Sequence, residues 1–87
     1  MQLLLNNTIK NLIAPTIISN GIMNVYLDNP GYRAVEVVSS NGIIVAKQDI
    51  TMQTGNIKIL VNQLATGVYM VKFIGNTTTS VEKIIVQ

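Results

Sequence analysis

Between residues 23 and 86, apolar and polar side chains keep alternating in short runs, and each run is broken by turn-forming residues. Successive side chains of a strand point to opposite faces, so a period of two selects half-buried β-structure over amphipathic helix. Met23, Val25 and Leu27 alternate with Asn24, Tyr26 and Asp28, up to Asn29-Pro30-Gly31. There proline has no amide donor for a ladder and glycine relaxes the turn. Val35, Val37 and Ser39 form one face of the next run, with Ala34, Glu36 and Val38 on the other. Asn41-Gly42 follows between apolar runs, the strongest short hairpin signal, and residues 42–47 return.

The polar stretch from Gln48 to Asn56 reads as a loop or an irregular edge, after which Ile57, Ile59 and Val61 alternate with Lys58 and Leu60. Residues 62–67 make a compact connection with one apolar plug, Leu64. Tyr69, Val71 and Phe73 then alternate with Met70, Lys72 and Ile74, the turn Gly75-Asn76-Thr77-Thr78 intervenes, and Ser80 to Val86 is the last run. About seven strands at this spacing predict an all-β sandwich or barrel. Val35, Val37, Ile57, Ile59, Leu64, Tyr69, Val71 and Phe73 are expected in or near its core. Gly67 is expected at positive φ, where the backbone turns into the Tyr69 strand.

Upstream, Leu5, Ile9, Leu12 and Ile13 sit at helical spacing, but the asparagine-rich filler is poor for helix and Pro15 would stop one. An extended segment over 12–18, closed by Asn20-Gly21, is the better expectation. Residues 1–14 are expected to be a linker or tail of a preceding region.

Eighty-seven residues suffice for one core and not two. With 48% hydrophobic but only 11% charged residues, the surface draws its polarity from Asn, Thr, Ser and Gln. Little net charge keeps such surfaces apart, which suits a domain that lives against a partner or at the end of a larger protein. The six basic residues (Lys10, Arg33, Lys47, Lys58, Lys72 and Lys83) are scattered, and aromatics are few. There is no stripe to track phosphates and no stacking platform, so no nucleic-acid partner is expected.

Chemistry is equally sparse. The chain has no histidine and no cysteine, which removes the commonest general base, the thiol nucleophile and thiolate metal sites. Asp28, Glu36, Asp49 and Glu82 lie far apart in sequence and read as single solvated charges. No phosphate-cradling loop or nucleophile elbow is present. No enzyme activity, cofactor or metal is expected. The triplets at Asn6 and Asn76 fit a glycosylation pattern but read as loop polarity. Lys72 and Lys83 interrupt apolar strands, either as edge protection or as contacts for a partner. No apolar run reaches the ~18–20 residues of a membrane helix, and the apolar stretch Leu3-Leu4-Leu5 is too short for a secretory leader. An exported chain would need that leader elsewhere, so the sequence is expected to be a fragment.

The order of the pieces carries one resemblance. It runs through Val35-Glu36-Val37-Val38, Asn41-Gly42, Ile44-Val45, Ile57-Lys58-Ile59, Leu64-Ala65-Thr66-Gly67-Val68-Tyr69-Met70-Val71-Lys72, Gly75 and Glu82-Lys83-Ile84-Ile85-Val86. This resembles the C-terminal sorting domain of proteins exported by the type IX secretion system of Bacteroidetes, over about residues 15–87. The specific part is the "leucine, two residues, glycine, aliphatic, tyrosine" segment, followed by a lysine-plus-aliphatic ending. The family's usual Pro-Asn-Pro-like opening is reduced here to Pro15.

The resemblance implies an immunoglobulin-like β-sandwich of antiparallel strands acting as a non-catalytic address label. The label sends a covalently preceding passenger from the periplasm across the outer membrane to the surface or the medium. Its implied partners are the secretion machinery, with its outer-membrane shuttle and a sortase-like peptidase that removes the label and attaches the passenger to the surface. Leu64, Gly67, Tyr69, Lys72, Gly75, Lys83, Ile84, Ile85 and Val86 become the recognition motif. The open edge of the last strand becomes something a receptor can grip, and the isolated domain is open to strand-exchanged dimerisation. The alternatives are an immunoglobulin-like spacer or adhesion module of a surface protein, or an uncleaved sorting-like domain of the secretion machinery itself.

Overall fold

The computed structural model describes residues 12–28 and 30–87. Seven strands follow in chain order: β1 (Ile17–Ile18), β2 (Ile22–Leu27), β3 (Tyr32–Ser39), β4 (Ile44–Asp49), β5 (Gly55–Leu60), β6 (Gly67–Gly75) and β7 (Thr79–Val86). They form a five-stranded sheet, ordered β1-β7-β6-β3-β4, and a two-stranded sheet, β2-β5. Chain neighbours β3 and β4, and β6 and β7, pair as hairpins, whereas β2-β5 and β3-β6 join strands distant in sequence. This is an immunoglobulin-like sandwich, with β2 and β5 facing a larger sheet built on β3, β6 and β7.

The alternation reads directly into burial. Met23, Val25 and Leu27 from β2, Ile57 and Ile59 from β5, Val35 and Val37 from β3, and Tyr69, Val71 and Phe73 from β6 share one core. Leu64 is half-buried against it. Phe73 has no exposed surface, and its ring meets Tyr32 edge-on with centroids 5.9 Å apart. Asn41-Gly42 turns the β3–β4 hairpin, where the Gly42 amide donates to the Ser39 carbonyl. At its other end the polar stretch after β4 drops Ile50 into the core with no exposed surface. That one aliphatic, expected to be part of a loop or irregular edge, closes the end of the sandwich.

Two features differ from the expected all-antiparallel sheet with an open terminal edge. β1 runs parallel to β7, pairing Ile17 with Ile85 and Ile18 with Val86. The Ile85 and Gln87 amides donate to the Thr16 and Ile18 carbonyls at 2.9 and 2.8 Å. The end of the last strand is therefore covered, because its unpaired amides find partners in the chain's own upstream segment. The same segment begins on the other sheet, where Ile13 bridges to Val25 and the Tyr26 amide donates to the Leu12 carbonyl. Leu12 and Ile13, upstream of the expected boundary at residue 15, are both buried in the core. The Ala14-Pro15 peptide bond between the two halves is cis.

Candidate functional site

The expected motif is divided by the pleat of β6 and β7 into two sets with different surroundings. Tyr69, Ile84 and Val86 point inward and are buried. The Tyr69 hydroxyl donates to the Ala65 carbonyl at 2.7 Å and pins the connection entering β6. A buried phenol needs such a partner, and a tyrosine tied to backbone just upstream is a recurrent corner of immunoglobulin-like sandwiches. Gly67 opens β6 opposite Val86 with φ +156°, and nothing lies within 4 Å of where a Cβ would stand. Gly75, by contrast, is required by close approach. A Cβ there would lie 3.0 Å from the carbonyl oxygens of both Gly31 and Thr78.

Lys72, Lys83 and Ile85 point the other way, onto the outer face of the five-stranded sheet. Residues directly opposite one another in a ladder share a face, so register maps that surface. One row runs Ile17, Ile85, Val68, and the next runs Lys83, Met70, Val38, Ile44. A third runs Val81, Lys72, Glu36, Lys47. Ile17, Ile44, Val68, Met70 and Val81 are all substantially exposed, and they are five of the nine large exposed apolar residues among those described. Val38 is buried without belonging to the core cluster, because it lies on this face beneath its neighbours in the row.

Charge on the face is one-sided. Lys47 pairs with Glu36 at 3.6 Å, whereas Lys72 and Lys83 have no ion-pair partner among the described residues. The result is an apolar patch beside two ammonium groups without an ion-pair partner among the described residues. Exposed apolar area gathered on one sheet face is a mark of an interaction surface.

The chain matches the model of the secretion system C-terminal sorting domain over residues 19–87. It therefore belongs to that family of type IX sorting domains. No curated protein matches it.

In this sorting domain, the expected motif does not form one cluster. Leu64, Gly67, Tyr69, Gly75, Ile84 and Val86 hold the backbone and core, while Lys72, Lys83 and Ile85 line the exposed face. Val68, Met70, Ile17 and Ile44 belong to that face and were not singled out from sequence. Their signal was present, since they are apolar residues on the half of the alternation that should be polar.

The acids were expected to be separate solvated charges. Glu82, however, is half-buried, and its carboxylate accepts from the Leu12 and Ile13 amides at 2.7 and 3.3 Å. Among the described residues no three acids gather into a set able to hold a metal ion, and no helix is long and apolar enough to cross a membrane. An open groove lined by Arg33, Glu36, Lys47 and Asp49 carries both charge signs.

Proposed function

We propose that this domain is a non-catalytic sorting signal read through the outer face of its five-stranded sheet. The face is engaged by the type IX machinery, including the outer-membrane shuttle, and directs a covalently preceding passenger from the periplasm to the cell surface or the medium. A sortase-like peptidase then separates passenger from domain and attaches the passenger to the surface. The inward half of the motif keeps the sheet in register. Lys72, Lys83 and Ile85, with Val68 and Met70, supply the contacts.

One observation carries this beyond family membership. The outward residues of the motif fall on the one sheet face where exposed aliphatics concentrate and where two lysines have no ion-pair partner among the described residues. A partner rimmed by carboxylates would complement it, with the lysines setting orientation and encounter rate more than affinity.

The test is to fuse residues 1–87 behind a reporter bearing an ordinary signal peptide. The fusion is expressed in a Bacteroidetes strain with the secretion system and in one lacking its outer-membrane pore. The expected outcome is reporter outside the first strain and held in the periplasm of the second. An immunoglobulin-like spacer would leave reporter in the periplasm of both. That result, obtained while an established sorting domain exports the same reporter, defeats the proposal.

A further inference from the structure

Residues 12–18 form a strap joining the two sheets along the edge of the last strand. We propose that this edge of β7 is a strand-acceptor site. The strap fills it in cis, and when the strap lifts, an extended aliphatic strand of the same chemistry can occupy it in trans. This goes beyond the sorting function and does not depend on it.

The strap's own contacts specify what the site accepts. Ile85 and Gln87 present amide donors two residues apart, and they are met by the Thr16 and Ile18 carbonyls in parallel register. An incoming strand must therefore offer carbonyls with that spacing, which any extended peptide does. Specificity comes from side chains at alternate positions. Ile18 is buried while Ile17 faces out, and Ile13 is almost wholly enclosed.

Glu82 adds a polar anchor. It lies on the inward row of β7 with Ser80, Ile84 and Val86, opposite core residues of β6. There its carboxylate accepts from two successive strap amides. Hydrogen bonds to an ionised acceptor are stronger than neutral ones, so Glu82 acts as the latch of the strap.

The strap is most lightly held at its β1 end. Only two residue pairs join β1 to β7. The link from β1 to β2 is Ser19-Asn20-Gly21, and lifting the strap would break its own bonds to Asn24 and Tyr26 of β2 while leaving the β2–β5 and β6–β7 pairings in place. Tension on the chain upstream of Leu12 loads the Glu82 latch and the Tyr26–Leu12 hydrogen bond together.

The test uses the full chain with Ile13→Asp, which unseats the strap in cis, and a synthetic peptide of residues 12–18 as the probe. The peptide is expected to bind this variant at least tenfold more tightly than the wild-type chain, whose site is filled. Binding should slow hydrogen exchange at the Ile85 and Gln87 amides by a similar factor, and a peptide carrying Ile13→Asp should not bind. A folded variant that ignores the peptide, or binds it without protecting those two amides, overturns the proposal. If Ile13→Asp does not fold, native-state exchange on the wild-type chain decides. Ile85 and Gln87 should then exchange together, at least tenfold faster than Val71 and Phe73 in the central strand β6. Exchange of all four at one common rate would mean that the strap opens only with global unfolding, and the acceptor site would be rejected.

Discussion

Ile84 and Ile85 are adjacent and chemically identical, yet the pleat of β7 sends them to opposite faces. Ile84 has no exposed surface and lies in the core, whereas Ile85 is half-buried on the outer face opposite Val68. Truncating Ile84 to alanine removes three carbons from a closed environment. At about 0.8 kcal/mol per buried carbon the transfer loss is about 2.4 kcal/mol. The cavity left behind raises it to about 3–4 kcal/mol, within the range of about 2–5 seen for such truncations.

Ile85→Ala removes the same atoms from a site already half in water, where no cavity closes over the gap, and should cost about 1 kcal/mol. For a domain of this size each kcal/mol moves the melting temperature by about 4–8 °C. Ile84→Ala should therefore melt about 15–25 °C lower, and Ile85→Ala only about 5 °C lower. Urea unfolding followed by far-ultraviolet circular dichroism measures both changes, and the slope should stay constant if the denatured state is unchanged. Equal losses, or a larger loss at Ile85, would mean that β7 sits one residue out of register, because a single-residue slip exchanges its faces. That would refute the division of the motif.

The two motif glycines and an exposed carboxylate give two further expectations. Gly75→Ala should destabilise by more than about 2 kcal/mol, since backbone carbonyls on both sides of the new Cβ cannot move aside cheaply. Gly67→Ala meets no neighbouring atom, but at φ +156° an L side chain is strained whatever the space, so it should cost about 1–3 kcal/mol, and an unchanged urea midpoint at either glycine would contradict the geometry. The Thr51 amide donates to Asp49 Oδ1 at 2.8 Å, and this bond, with one from the Thr51 side chain, holds the Asp49 carboxyl below its ordinary value. With the folded value below the unfolded one, the stabilisation is present above the unfolded value and lost as pH falls through the folded one. Asp49→Asn should therefore lose less stability than the wild-type chain between neutral pH and about pH 2, and an identical acid profile would rule the contribution out.

What the sequence made legible was whatever has a period. The alternations in Met23–Leu27, Ala34–Ser39, Ile57–Val61 and Tyr69–Phe73 fixed the strands, their faces and most of the core, and Asn41-Gly42 fixed a hairpin. The strap was legible only as extended chain, because a two-residue parallel pairing between β1 and β7 has no periodic signal and joins residues almost 70 positions apart. Ile50 was obscured by its polar neighbours, since a single plug between a strand and a turn creates no pattern.

Glu82 shows a different gap. Its alternation phase placed it with Ile84 and Val86, but nothing in the sequence revealed that two backbone amides of the strap would meet its carboxylate. The candidate face was legible one residue at a time. It became a surface only through the cross-strand register that sets Val68 beside Ile85 and Met70 between Lys83 and Val38.

Whether the secretion machinery reads the outer face of the five-stranded sheet is decided by comparing two double variants in the export fusion. One carries Lys83→Ala and Ile85→Ser on the proposed face. The other carries Tyr26→Ser and Leu60→Ser on the two-stranded sheet, where both side chains are more than half exposed. Both fusions should fold, as judged by protease resistance of the domain in periplasmic extracts. The first should be folded but retained in the periplasm, while the second should be exported like the wild-type fusion. Export of the first at the wild-type level, or retention of the second alone, would contradict it.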